Sequence, residues 1–131
     1  MRLLFRPLPF HFTLLLAANE LALLLATERK DPAGALPYAQ QAADAAGGRL
    51  PNVLDTLGWI QCLNGDTAEA IPLLEKAKAA MGFSPTVRYH LGMAYLKAGR
   101  KDEARTELRE ALAISSPFPE ADEASKALGG L

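Results

Sequence analysis

Apolar residues recur along most of the chain at spacings of three and four, which is typical of helices that bury one side. Two clear apolar stripes consist of Leu54, Leu57 and Ile60 and of Leu73, Leu74 and Ala77. The segment between them is interpreted as a turn, because Gly65 suits the left-handed backbone that ends a helix. Asp66 is the candidate N-cap of the next helix, and Glu69 three residues later completes a capping box. This stretch therefore predicts a helix, a tight turn and a second helix.

The helix-turn-helix pattern repeats with a period of 34 residues. Prolines mark it at Pro51, Pro85 and Pro119. Further identities at the same shift are Leu57-Gly58 with Leu91-Gly92, Gly65 with Gly99, Glu69-Ala70 with Glu103-Ala104, Leu74 with Leu108, and Ala77 with Ala111. At a shift of 35 residues, a third copy upstream matches through Ala35-Leu36-Pro37 and Ala42. One helix pair has too little core to be stable by itself, so the pairs are expected to stack.

Small residues occupy three equivalent positions in each copy. The first position holds Ala22, Gly58 and Gly92, the second Ala35, Ala70 and Ala104, and the third Ala42, Ala77 and Ala111. Small side chains at fixed positions let helix backbones approach closely. The space between the helices is then expected to be filled by Leu57, Leu74, Leu91 and Leu108. A plain alanine-rich helical bundle, the alternative, does not require this register.

These positions resemble the pattern of the tetratricopeptide repeat (TPR) family over roughly residues 17–128. The motif residues are Leu57-Gly58, Ala70 and Ala77, then Leu91-Gly92, Tyr95, Ala104 and Ala111. The resemblance implies an all-α fold, a right-handed superhelical solenoid of three helix-turn-helix repeats plus a C-terminal capping helix. The repeats would span about residues 12–48, 51–84 and 85–118 of a domain at 12–128, with the cap at 119–128. Residues 1–11 stay an unassigned lead segment.

A second, finer resemblance concerns three segments of the chain. Residues 53–60, 87–91 and 117–128 are similar to the C-terminal repeats and last helix of the TPR lipoproteins of bacterial exosortase (PEP-CTERM) systems. This resemblance implies a link to the cell envelope and to exopolysaccharide biogenesis. The compartment is left open between the cytoplasm and the periplasm or cell envelope, since only the resemblance favours the envelope.

In TPR proteins the first helix of each pair lines a concave groove, so the resemblance implies which side chains face a partner. The candidate groove residues are Asn52, Asp55, Thr56, Trp59, Cys62 and Leu63 in the second repeat and Thr86, Tyr89, His90, Met93, Leu96 and Lys97 in the third. Equivalent residues of adjacent first helices are neighbours, so Asp55 is expected beside Tyr89 and His90. Trp59 is expected beside Met93 for the same reason.

Aromatic and methionine side chains on such a face suit the capture of an extended peptide or a helix. The sequence therefore predicts a non-enzymatic scaffold for protein–protein interaction, whose groove faces a peptide or helix of an unknown partner. The structural alternative is that Trp59 and Met93 only pack repeat against repeat. TPR domains that grip a terminal carboxylate use Lys, Arg and Asn on this face, whereas here only Lys97 is basic, so chaperone C-terminal tails are not expected as ligands.

The N-terminal segment is much more apolar than the rest of the chain. Residues 3–26 contain 17 hydrophobic residues in 24. The longest charge-free run, Pro7–Asn19, has 13 residues and is too short to span a membrane. A signal peptide is a rival interpretation, with Arg2 and Arg6 ahead of an apolar stretch and Ala17-Ala18 as a weak cleavage signal. Cleavage there would remove half of the first repeat's first helix, which favours that helix over a signal peptide.

The same apolar helix lacks a polar face, which terminal repeats need for solubility. Self-association, a partner or residues 1–11 are expected to cover it. The second class of function is accordingly a self-associating structural fragment of a larger TPR protein of the cell envelope.

Composition and charge narrow the remaining classes of function. The 131 residues carry 14 Lys and Arg against 15 Asp and Glu, so a nucleic-acid partner is not expected. The single cysteine, Cys62, cannot form an intramolecular disulfide or a multi-cysteine zinc site. A Cys62–His90 catalytic pair is disfavoured, because their positions on parallel helices differ by about six residues, or ~9 Å along the axis. No cofactor, metal site or catalytic residue is predicted. The mixed charges of the second helices are interpreted as a solvated outer face.

Overall fold

The computed structural model describes residues 10–114 and 117–131. Within these ranges the chain is all-α and contains no strand. The helices in order are α1 (Phe10–Thr27), α2 (Pro32–Ala45), α3 (Pro51–Leu63), α4 (Thr67–Met81), α5 (Pro85–Lys97), α6 (Lys101–Ala113) and α7 (Ala121–Gly129). The expectations for the lead segment, including the signal-peptide alternative and its Arg2 and Arg6, fall largely outside the described residues.

The helices form three helix-turn-helix pairs that stack in chain order. α1 packs against α2, α3 against α4, and α5 against α6, and successive pairs meet through α2 with α3 and α4 with α5. The first helices also contact one another, α1 with α3 and α3 with α5, while α7 packs on α6. The predicted solenoid of three helix pairs and a C-terminal capping helix is confirmed.

The predicted small-residue positions lie buried inside the helix pairs. Ala22, Ala35, Ala70 and Ala104 are fully buried, as are Ala42, Ala77 and Ala111. A Cβ atom added at Gly58 would lie 2.8 Å from Cγ of Leu74, and one at Gly92 would lie 3.0 Å from Cγ of Leu108. Both leucines have no exposed surface. Glycine at these two positions therefore leaves room for the leucine of the paired helix.

The turns inside the pairs use left-handed backbone. Gly65 has φ +92° and Gly99 has φ +78°, as the sequence predicts for Gly65, but the equivalent residue of the first pair is Lys30, with φ +51°. Asp31 caps α2, because its Oδ1 accepts a hydrogen bond of 2.9 Å from the Gly34 amide. The capping box predicted for α4 is wrong, since within the described residues the Asp66 side chain makes no capping hydrogen bond.

A buried ion network joins the second and third pairs. Glu107 on α6 is only 4% exposed, and its carboxylate accepts hydrogen bonds from Nζ of Lys78 at 2.6 Å and Nη1 of Arg88 at 3.1 Å. Arg88 also pairs with Glu110 and donates through Nε to the Gly82 carbonyl at 2.6 Å. The interpretation of all second-helix charges as a solvated face is therefore wrong for Glu107, because three helices enclose it.

Helix α1 has a buried and an exposed side. Leu15, Ala18, Ala22 and Ala26 lie in the core, whereas Leu14, Leu16, Leu21 and Leu24 are 37–49% exposed. None of the described helices is long and apolar enough to cross a membrane. The expected problem of an uncovered apolar surface is thus real for the described part of α1.

Candidate functional site

The first helices of the three pairs line a cavity of about 330 Å³. α1, α3 and α5 supply most of its walls, and the end of α4, the N-cap of α5 and the N-cap of α7 close it. The lining residues are Asn19, Glu20, Leu23, Thr27, Asn52, Asp55, Thr56, Trp59, Met81, Ser84, Thr86, Val87, His90 and Glu120. This position follows from the stacking, because first helices of successive pairs lie side by side on one face.

Three side chains from neighbouring helices form the floor of the cavity. Nδ1 of His90 lies 2.8 Å from Oδ1 and 3.0 Å from Oδ2 of Asp55. Since a carboxylate only accepts, this nitrogen donates the hydrogen bond. The Trp59 ring stacks on the His90 ring with centroids 4.3 Å apart and planes 16° apart. The expected neighbourhood of Asp55 and His90 is confirmed, and the contact between α3 and α5 is held by both a polar and a stacking interaction.

The candidate groove residues divide into those that line the cavity and those that do not. The cavity is lined by Asn52, Asp55, Thr56, Trp59, Thr86 and His90. Tyr89, at 6% exposure, instead packs against Leu108 and Ala124, and both Trp59 and Met93 pack against that cluster. Burial raises the pKa of the Tyr89 hydroxyl, and the nearby charges of Glu123 and Glu120 raise it further.

Two further candidates, Cys62 and Lys97, lie at the C-terminal ends of α3 and α5 and do not line the cavity. Cys62 has no exposed surface and packs with the core residues of α4 and α5, so its expected place on the groove is wrong. Burial raises the pKa of its thiol, an effect that the charge of Lys97 partly offsets. Lys97 is exposed, and its Nζ donates to the Cys62 carbonyl at 3.2 Å. The structure thus places Cys62 in the core and Lys97 beside the end of α3, because the side of α3 that carries Cys62 packs between α4 and α5.

Sequence reasoning missed the contributions of α1 and of the α7 N-cap. Four lining residues come from α1, whose sequence pattern indicates only an apolar helix: Asn19, Glu20, Leu23 and Thr27. The sequence does contain a signal: Leu21 and Leu57 are 36 residues apart, and the same shift equates Asn19 with Asp55. Glu120 stands 34 residues after Thr86, and Oγ1 of Thr86 donates to Oε2 of Glu120 at 3.1 Å.

The acidic side chains of the cavity are not matched by basic ones among the described residues. Its described lining contains the carboxyl groups of Glu20, Asp55 and Glu120 but no lysine or arginine. Asn19 is 6% exposed, and its Oδ1 is buried without a hydrogen-bond partner among the described residues. The site therefore combines negative charge and an unused acceptor with the apolar surfaces of Leu23, Trp59, Met81 and Val87.

Comparisons with known proteins agree with this architecture. A tetratricopeptide repeat family model matches residues 63–128. The fold is similar to a structure of SycD, the type III secretion translocator chaperone of Yersinia enterocolitica, with a TM-score of 0.70, 19% identity, and 89% of each chain covered. A second SycD structure, an alternative dimer, gives a TM-score of 0.69 at 20% identity, covering 90% of this chain and 88% of that one. A search of curated proteins found no match.

Proposed function

The chain belongs to the tetratricopeptide repeat family, and from this premise we propose that it is a protein-interaction module whose groove receives a segment of a partner. The single observation that carries the proposal is the cavity of about 330 Å³ built by the first helices. Its size is that of a small ligand site, and its mixture of apolar walls with a few oriented polar groups is typical of binding sites. An extended peptide or one face of a helix fits such an open groove.

Binding rather than catalysis is the activity proposed. The Cys62 thiol is fully buried and its pKa is raised, so it is poorly suited to act as a nucleophile. His90 directs Nδ1 to Asp55 and stacks on Trp59, an arrangement that holds the groove together. The likeness of fold to SycD, a protein named as a translocator chaperone, supports a protein as the partner.

Self-association is a second candidate, favoured by the exposed leucines of α1. Leu14, Leu16, Leu21 and Leu24 form an apolar surface that a second copy could cover. The finer resemblance to exosortase-system TPR proteins supports a place for such an assembly in a bacterial cell envelope. Replacing Leu16 and Leu24 by Gln is expected to abolish dimerisation measured by light scattering. A wild-type chain that stays monomeric at high concentration would contradict this candidate.

The main proposal is tested by closing the groove with one exposed residue. Asn52 lies at the start of α3, is exposed and lines the cavity, so Asn52→Arg fills the site without disturbing the core. Peptides selected by the wild-type chain from a displayed library of random 12-residue sequences are expected to lose most of their binding to this variant. Ala79→Arg is the matched control, because Ala79 is exposed on α4 and lines no part of the cavity. Equal binding to both variants would refute the proposed groove.

A further inference from the structure

The charge of the cavity identifies the kind of side chain that it suits. Glu20, Asp55 and Glu120 line it, and no lysine or arginine does so among the described residues. Asp55 already receives a hydrogen bond from His90 and Glu120 one from Thr86. Within the described part of the chain, no ion pair involves Glu20 or Glu120. Among the described residues, their charges are therefore not neutralised by a basic side chain, although the whole chain has a net charge of only −1.

Asn19 gives an independent indication of a missing donor. Its side chain is more than nine-tenths buried, it lines the cavity, and its Oδ1 has no hydrogen-bond partner among the described residues. A buried acceptor without a partner destabilises the free protein, so such groups are uncommon in folded chains. Three hydroxyl groups of the lining already donate elsewhere, that of Thr27 to the Leu23 carbonyl, that of Thr56 to the Asn52 carbonyl and that of Thr86 to Glu120. A donor from a bound molecule would satisfy Asn19.

The apolar walls of the cavity suit the aliphatic stem of a long side chain. Leu23, Trp59, Met81 and Val87 supply apolar surface beside the acceptors. Lysine and arginine side chains match this arrangement, because each combines an apolar stem with a cationic, donor-rich end. Charge-assisted hydrogen bonds from such a group to carboxylates are among the stronger polar contacts in proteins.

From these observations we infer that the cavity receives a lysine or arginine side chain of the partner segment, with Glu20, Glu120 and the Asn19 amide oxygen as acceptors. The inference rests on the proposed function, because it assumes that the groove receives a peptide. An acidic side chain would meet like charges, and a purely apolar one would leave Asn19 and the carboxylates without donors. The basic residue is thus the determinant of specificity, and the other groove contacts position the segment.

The test uses the full chain and a displayed library of random 12-residue peptides. Peptides selected on the wild type are expected to share one lysine or arginine. In synthetic copies, replacing that residue by norleucine, Gln or Glu should weaken binding by about tenfold or more, since a charge-assisted contact of this kind is lost. Exchanging Lys for Arg distinguishes the two cations, and either preference supports the inference. Binding should also weaken as the salt concentration rises.

Variants of the protein separate this inference from the proposed function. Glu20→Gln with Glu120→Gln should remove the preference for the basic residue, whereas Glu69→Gln, on the exposed start of α4, should leave it unchanged. Asn19→Leu should weaken peptide binding while the melting temperature stays the same or rises, because an unpaired buried acceptor has been removed. A structural role for Asn19 would lower that temperature.

Failure of the inference and failure of the proposed function give different results. Peptides that bind the groove with no basic residue in common, or that bind the Gln double variant with unchanged preference, would overturn the inference and leave the proposed function intact. A library that yields no peptide sensitive to Asn52→Arg would overturn both.

Discussion

In the second and third helix pairs a glycine of the first helix faces a leucine of the second, whereas the first pair has alanine at both positions. Gly58 lies against Leu74, and Gly92 against Leu108. The equivalent residues of the first pair, Ala22 and Ala39, are both fully buried in one cluster. The two alanines have less side-chain volume than the glycine and leucine together, so the first pair fills this contact with smaller side chains on both helices.

The same regions also differ in how they are joined to their neighbours. The second and third pairs share the buried carboxylate of Glu107, held by Lys78 and Arg88. The first pair is tied to α3 by a neutral contact, in which Nδ2 of Asn64 donates to the Pro32 carbonyl at 2.9 Å. The first pair also shares one apolar cluster with Val53, Leu57 and Ile60 of α3. Its attachment therefore rests on apolar burial, whereas the second and third pairs add a buried charge network, whose desolvation opposes its Coulombic gain.

The largest expected effect comes from removing the leucine of the glycine–leucine arrangement. Leu74→Ala leaves a gap in a fully buried site and is expected to lower the free energy of unfolding by about 2–5 kcal/mol, measured by urea denaturation. Phe83→Ala, which truncates a side chain that is 74% exposed, is the control and should change stability by less than about 0.5 kcal/mol. A cost for Leu74→Ala near that of the control would mean that the helices close the gap.

Gly58→Ala should lower the free energy of unfolding by less than Leu74→Ala does. The added Cβ would lie 2.8 Å from Leu74, which is destabilising, but alanine favours the helix more than glycine does. Overpacking costs about 1–3 kcal/mol and the helix preference returns about 1 kcal/mol, so a net loss of about 1 kcal/mol is expected. In the Gly58→Ala, Leu74→Ala double variant, which copies the first pair, the clash is absent. The double variant should therefore be more stable than the sum of the single changes indicates, and strict additivity would refute the contact.

The smallest expected effect concerns the turn of the first pair. Lys30 adopts φ +51°, where the other two pairs have glycine. Left-handed backbone costs a side-chain-bearing residue about 1–2 kcal/mol, while glycine loses more entropy on folding. Lys30→Gly is therefore expected to raise stability by about 0.5 kcal/mol, seen as a higher urea midpoint. Gly65→Ala, which puts a side chain on left-handed backbone, should lower that midpoint. A loss of stability in Lys30→Gly would contradict backbone strain at Lys30.

The fold could be predicted far more completely than the site. Pro51 and Pro85 mark the starts of α3 and α5, and Gly65 ends α3, because proline and glycine restrict the backbone locally. The groove residues required the orientation of each helix as well. Cys62 was expected on the groove but lies in the core, because its side of α3 packs with α4 and α5.

The sequence by itself determines the repeat, its register and the small residues where helices meet, because these follow from local backbone preferences and a fixed period. It also determines that Asp55 and His90 are neighbours, since equivalent residues of stacked first helices lie side by side. Only the tertiary structure decides that Asn19 of α1 and Glu120 before α7 line the same cavity. Residues 101 positions apart meet there because each repeat adds its first helix to one continuous face, a property of the stack that no single repeat contains.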